Sequence, residues 1–287
     1  NADVIHSFHY SDNYTEALAA KFAGIKWVFT KKNMSWGAGS GNGWRLRSAL
    51  ARGIAVQNTD MIKQFYPNSS KTKLIPRGVV VENFLAQQPK AQIRESMVTA
   101  PEKRLIICVA NMVPVKGVEL LIQAFQELAK TQIDWDLWLV GDINNDYGKK
   151  LINLVTSKAL KDRIHFSGKQ PNVHDYLDHA EIFVLPTKDE GRREGSPVAL
   201  LEAMANGKVV IGSSVPGVKD QLKNFQEHQF KPGNWEILAK KLLKFMLNSV
   251  EENKERGNLF TKHVQENYSI SLEIERHESF YLRIING

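Results

Sequence analysis

The chain has 287 residues, 43% of them hydrophobic and 24% charged, with a formal net charge of +7. No run approaches the roughly 18–20 apolar residues that cross a bilayer, and no apolar stretch near the start reads as a secretion signal. A single cysteine, Cys108, excludes an intrachain disulfide framework and a cysteine-rich zinc site. Its surroundings, LIICVA, are those of a small buried hydrophobe in a reducing, cytoplasmic setting.

The excess of cations implies an anionic partner. Basic residues recur as Arg45, Arg47 and Arg52, as Lys71, Lys73 and Arg77, as Lys188, Arg192 and Arg193, and as Lys240, Lys241 and Lys244. Most of these read as solvated faces. No nucleic-acid motif accompanies them, so phosphorylated small substrates and a peripheral contact with an anionic membrane fit better than RNA or DNA.

In chain order, residues 3–6 read as a short strand, 15–23 as a helix closed by Gly24, and 26–30 as the next strand. This α/β alternation begins mid-pattern, without the glycine-rich β–α turn that opens a doubly wound domain. The stretch GAGSGNG at 37–43 invites a nucleotide-loop reading, but Asn42 and Trp44 break the pattern and no Lys-Ser/Thr follows. A flexible connector is expected there. Residues 53–59 read as a strand and helix cap, 73–79 as a strand running into a turn, and 80–100 as a linker between two units.

The second unit opens with a strand at 105–110. A helix at 117–130 follows, with Val118, Leu121, Ile122, Phe125, Leu128 and Ala129 on one core face. Lys116 stands at the strand-to-helix turn, where a cation reaches a phosphate at the carboxyl edge of a parallel sheet. The strand 136–140 ends at Gly141-Asp142, an edge loop that approaches a ligand closely because glycine has no side chain. A short strand at 163–168, a loop at 169–173, a strand at 181–186 and an edge loop at 213–217 come next. Residues 231–234 cap a helix with Trp235, Leu238, Leu242 and Phe245 inward, and 251–266 and 272–285 read as the last helices.

The most informative stretch is 185–212, LPTKDEGRREGSPVALLEAMANGKVVIG. It reads as a strand end, a polar loop, a helix from Pro197 with Ser196 as N-cap, and a strand at 208–212. Val198, Leu201 and Ala205 fall at i, i+3 and i+7, a core-facing stripe. Glu202 occupies i+4, where an apolar residue is expected and a carboxylate is costly without a partner. Glu194 lies eight residues upstream, just outside the helix start. A helix N-terminus carries unpaired N–H groups and partial positive charge, which suit a phosphate. Glu202 is about 7–8 Å further along the axis. One acid then reaches sugar hydroxyls beyond the phosphates and the other ribose hydroxyls before them.

This stretch resembles the E-x7-E segment of the retaining GT-B glycosyltransferases of family 4. It matches at both acids, at the glycine after the first, at the EAMA run and at Gly207 before the next strand; VPVKGVE around Lys116 matches a second family segment. The resemblance runs from Asp3 onward and is sharpest over 105–217. It implies an α/β fold of the GT-B type, two Rossmann-like parallel-sheet domains facing a cleft. Because family members carry a further stretch before residue 3, the first domain is expected to be incomplete. The expected divisions are 1–92 for that acceptor-side domain, 93–268 for the donor-binding domain, and 269–287 for a helix returning to the first.

The resemblance also implies roles. Glu194 contacts the donor sugar and Glu202 the nucleotide ribose. The loop of Gly195, Ser196 and Pro197 binds the diphosphate that Lys116 neutralises. Gly141 approaches the ligand, and the base is held near Lys169 and Val173. The family often has an arginine where Asn111 stands, and Arg192 and Arg193 are the nearest replacements. His6 and His9, in HSFHYSD, fall near the family's His-x-His pair in an imperfect register; a histidine acting here hydrogen-bonds the donor sugar or the acceptor. Arg77 departs from the family's Pro-Asn-Gly-Val.

The implied activity is transfer of a sugar from a nucleotide-diphosphate sugar to a glycan or lipid-linked acceptor, with retention of configuration. Neither metal nor cofactor is expected, since no cluster of Asp residues suits Mg²⁺. The setting is cytoplasmic or peripheral on the inner membrane face. Two other readings stay open: a nucleotide-sugar-binding protein whose catalysis has decayed, and a GT-B nucleotide-sugar epimerase, against which the E-x7-E segment argues.

Overall fold

The computed structural model describes residues 2–8, 14–35, 41–157, 160–191 and 195–287. Its first unit runs β1 (Val4–Ser7), α1 (Thr15–Phe22), β2 (Lys26–Lys31), α2 (Gly41–Leu50), β3 (Gly53–Val56), α3 (Thr59–Phe65) and β4 (Thr72–Leu74). The four strands lie side by side in chain order and all pair in parallel. Trp27, Phe29, Trp44, Ile54 and Met61 form the core against one face of this sheet.

Two expectations change here. From Gly41 on, the expected connector is the first turn of α2, while residues 36–40 lie outside the described ones. Glycine costs about 1 kcal/mol in a helix, but Trp44, 2% exposed, locks that turn into the core. Arg47, grouped above with solvated cations, is fully buried. Its guanidinium carbon lies 4.9 Å from the ring centroids of both Trp27 and Phe29, a cation–π setting.

The second unit contains α4 (Ala91–Ser96), β5 (Arg104–Val109), α5 (Val118–Leu128), β6 (Trp135–Val140), α6 (Asp146–Ser157), β7 (Ile164–Gly168), α7 (His174–Leu177), β8 (Ile182–Leu185), α8 (Val198–Ala205), β9 (Val209–Ser213), α9 (Val218–Gln221), β10 (Gln229–Phe230), α10 (Trp235–Met246) and α11 (Val250–Asn267). A six-stranded parallel sheet is ordered β10-β9-β8-β5-β6-β7, with an apolar core on each face. Cys108 is buried in β5, which pushes its thiol up to about 12. The sequence reading lacked α4, α6, α7, α9 and the two-residue β10. In α6, Tyr147, Leu151, Leu154 and Val155 follow a helical spacing and pack on the core.

Residues 80–100 are not a free tether. Val81 and Met97 join the core of the second unit, Lys90 pairs with Asp175 at 2.5 Å, and the Gln87 amide donates to Asp178 at 3.1 Å. The chain returns to the first unit through α12 (Ile270–Asn286), whose Phe280 and Ile284 pack on Val28, Ala55 and Ile75. The two crossings run side by side. The Val79 amide donates to the Tyr268 carbonyl at 2.9 Å and the Ile270 amide to the Val79 carbonyl at 2.8 Å. A Cβ on Gly78 would stand 2.5 Å from the Ser269 carbonyl oxygen, so only glycine allows this approach. Glu273 accepts from the Gly78 amide at 2.7 Å and pairs with Arg77 at 3.4 Å, which gives that departure from the family pattern a place.

Candidate functional site

In the second sheet, β5 is flanked by β6 on one side and β8 on the other, so the chain reverses its winding between β5 and β8. Ligands of open parallel sheets bind in the crevice beyond the carboxyl ends of the strands at such a point. A cleft of about 860 Å³ opens there, between the two units. From the second unit it is lined by Ala110 and Asn111 after β5, by Lys116, by Gly141 and Asp142 after β6, by Lys169, Gln170 and Val173 after β7, by Thr187 after β8, and by residues 195–199 at the start of α8. The first unit adds Lys32 and Asn33 after β2 and Gln57 after β3.

Close backbone approaches shape the wall of the second unit. After Val113 the chain makes a 3-10 turn, Pro114–Lys116, and Gly117 follows with φ of +63°. A Cβ on Gly117 would meet the Pro186 carbonyl oxygen at 2.3 Å, and one on Gly141 would meet that of Ala110 at 1.8 Å. Lys116, 8% exposed, thus enters the cleft from a tightly seated turn. The Lys188 amide donates to the Val115 carbonyl at 2.8 Å, joining this turn to the loop after β8. Lys188 itself pairs with Glu119 and Glu190.

The α8 start differs from expectation by one residue. Pro197 is the N-cap, because its ψ of 110° is extended rather than helical. Ser196 stands outside, and its hydroxyl accepts from Gln221 Nε2 at 3.1 Å; the same amide donates to the Pro197 carbonyl at 3.3 Å. Val198 is only half-buried and lines the cleft, whereas Leu200, Leu201, Ala203, Met204 and Ala205 are buried. The helix is therefore apolar nearly all round rather than on one stripe.

Eight expected residues share this cleft: Lys116, Asn111, Gly141, Lys169, Val173, Gly195, Ser196 and Pro197. Glu202 does not line it; it sits one turn beyond Val198 on the same helix face. Burial raises its carboxyl above the usual range, and no described side chain pairs with it. Glu194, Arg192, Arg193 and His9 lie outside the described residues. His6 is not in the cleft lining, and both ring nitrogens have partners. Nδ1 is 2.6 Å from the Tyr281 hydroxyl and Nε2 is 2.8 Å from the Thr30 hydroxyl. Burial, then His277 and Lys32, lower its pKa to about 4. Through the Tyr281 hydroxyl, His6 links β1 to α12.

Lys32, Asn33, Gln57, Gln170 and Thr187 were missed. Their one sequence signal is position: each follows the carboxyl end of a parallel strand. The first unit also touches the 195–197 loop directly. Asn58 Nδ2 donates to the Gly195 carbonyl at 2.7 Å, while the Thr59 amide and hydroxyl donate to Asp220 at 2.6 and 2.7 Å. Among the described residues no group of three or more His, Cys, Asp or Glu is placed to hold a metal, and no helix is long and apolar enough to cross a membrane.

Two parallel α/β units with a shared cleft at a strand-order reversal define a GT-B glycosyltransferase fold. A glycosyltransferase from Rickettsia africae superposes with a TM-score of 0.87 at 19% identity, covering 99% of this chain and 77% of its own. Anabaena HepE in complex with UDP-glucose gives 0.83 at 18%, covering 97% and 78%. Residues 89–260, more than half of the chain, match the family model of Glycosyl transferases group 1, and the chain belongs to that family. The capsular polysaccharide biosynthesis glycosyltransferase CapH of Staphylococcus aureus is 28% identical over 222 residues, 75% of this chain and 58% of CapH. The UDP-Gal:alpha-D-GlcNAc-diphosphoundecaprenol alpha-1,3-galactosyltransferase of Escherichia coli is 24% identical over 240 residues, 77% of this chain and 60% of that enzyme. The chain thus spans less than two thirds of the length of these relatives.

Proposed function

We propose that the protein is a retaining family 4 glycosyltransferase that moves a sugar from a nucleotide-diphosphate sugar, with UDP as the favoured nucleotide, to a glycan or lipid-linked acceptor in polysaccharide biosynthesis. The observation that carries the reading is the convergence of Lys116, the Gly195–Ser196 loop and the α8 terminus in one cleft walled by both units. As the glycosidic bond breaks, charge grows on the diphosphate oxygens. Lys116, the loop amides and the helix terminus supply the positive potential that stabilises it. In this reading Glu202 takes the ribose hydroxyls, Glu194 holds the sugar, and Lys169 and Val173 flank the base. The acceptor enters from the side of Lys32, Asn33 and Gln57 and attacks the face that the diphosphate leaves, which retains configuration. No metal or cofactor is assigned a role, and the protein works at the inner membrane face, drawn by its net positive charge.

The HepE complex with UDP-glucose and the galactosyltransferase acting on a diphosphoundecaprenol-linked sugar support this choice of donor and acceptor class. A thermal-shift screen of nucleotide sugars tests it, since a ligand of the folded state raises the melting temperature. UDP-sugars are expected to stabilise the protein, and anomeric analysis of the product to show retention. Stabilisation by none of them, or an inverted product, overturns the assignment.

A further inference from the structure

Asn58 occupies an unusual position. It is fully buried and caps α3, its Oδ1 accepting from the Met61 amide at 2.8 Å. Serine, threonine or aspartate caps a helix about as well. Only a carboxamide, however, caps with its oxygen while donating with its nitrogen, and here Nδ2 donates across the cleft to the Gly195 carbonyl at 2.7 Å. Gly195 is clasped from both sides. A Cβ on it would stand 2.3 Å from the Lys32 carbonyl oxygen, 2.6 Å from Gln57 Oε1 and 2.8 Å from Met61 Cε, all in the first unit. A Cβ on Gly217 of the second unit would in turn stand 2.5 Å from the Gly195 carbonyl oxygen.

The same end of α3 binds α9. Besides the Thr59 contacts to Asp220, Lys219 pairs with Asp60 at 3.0 Å. Gln221 of α9 holds Ser196 and Pro197, so three successive residues of the donor loop depend on the α3 terminus, Gly195 directly and its two neighbours through α9.

We infer that Asn58 is a positioning residue: from the acceptor-side unit it fixes the donor loop of the other unit, so that the Gly195–Ser196 amides are set for the diphosphate only when the two units are together. The inference rests on the function proposed above and adds to it a coupling between the units. Closure and presentation of the loop become one event, and the diphosphate site is complete only with a residue of the opposite half.

The test is Asn58→Ser, which preserves the helix cap and is too short to reach Gly195. Hydrogen exchange is read in the peptide containing Gly195 and Ser196, without ligand and with UDP, alongside steady-state kinetics and melting. The expected result is loop exchange several-fold faster than wild type in the unliganded protein. The kcat should fall about 5–10-fold, as for a lost buried hydrogen bond, with donor KM changed less than about twofold. The melting temperature should stay within about 2 °C of wild type. Wild-type exchange and kinetics in the variant overturn the inference. So does faster exchange spread over all of α3 with a matching drop in melting temperature, which would make Asn58 a cap and nothing more. Asn58→Asp, an equally good cap without the donor, decides the case if serine loosens α3. The exchange of the unliganded loop needs no turnover, so a wild-type protein inert toward UDP-sugars would sink the proposed function while leaving the coupling to be judged by exchange alone.

Discussion

The wall of the cleft built by the second unit is set largely by backbone: Gly117 against Pro186, Gly141 against Ala110, and Gly217 against Gly195. The wall built by the first unit consists of side chains at ordinary strand ends, Lys32, Asn33 and Gln57. Backbone approach demands glycine at fixed places, and fixed places leave a pattern in the sequence. A strand-end side chain tolerates many residue types, so this wall leaves almost none. Under the proposed function, the diphosphate contacts fall on the backbone-set wall and the acceptor contacts on the side-chain wall.

The contrast is tested most severely at Lys116. Lys116→Met keeps most of the side-chain volume and removes the cation, and sugar transfer should fall about 10²–10³-fold, as for loss of one group aimed at developing charge. Circular dichroism should show the fold retained; near-normal turnover would mean that the backbone-set wall is not where the diphosphate is held. Gly141→Ala addresses backbone approach itself. Its methyl group would fall 1.8 Å from a carbonyl oxygen that cannot rotate away, so denaturant unfolding should show a loss of about 1–3 kcal/mol, with weaker UDP binding by calorimetry.

On the other wall, Lys32→Ala should raise the acceptor KM by about 2–5-fold, the scale of an exposed charge contact, and leave donor hydrolysis without acceptor unchanged. Equal effects on both would erase the division between the walls. The smallest effect is expected at Glu202. Burial holds its folded carboxyl above its ordinary value of 4.5, so the folded protein binds that proton more tightly than the unfolded chain. The group's penalty is absent below 4.5 and grows as pH rises through the folded value. Glu202→Gln should therefore melt above wild type at neutral pH and with it near pH 4, and nucleotide sugar should narrow the neutral-pH gap.

The parts legible in the sequence were those with local periodicity or a fixed motif. The strand alternation and the α5 stripe form as read, and Lys116 with the loop glycines, Asn111, Lys169 and Val173 lines one cleft. What stayed hidden depends on partners far along the chain. His6 looked available at a strand end until α12, 275 residues later, brings the Tyr281 hydroxyl to its ring. Gly41 to Gly43 read as a connector because the burial of Trp44 that holds them helical is tertiary. Asn58 read as part of a helix cap, and half of its hydrogen bonding goes to a loop 137 residues away. In α6 the helical spacing was present, yet the charged surroundings of DYGKKL masked it.

The side-by-side crossings have a consequence for how the protein is made. The sheet of the first unit leaves the ribosome early, but its second face is closed by Phe280 and Ile284 of α12, which pack on Val28, Ala55 and Ile75. Folding during synthesis proceeds from the N-terminus, so Val28, Ala55 and Ile75 are made before the second unit and meet Phe280 and Ile284 only after it has been translated.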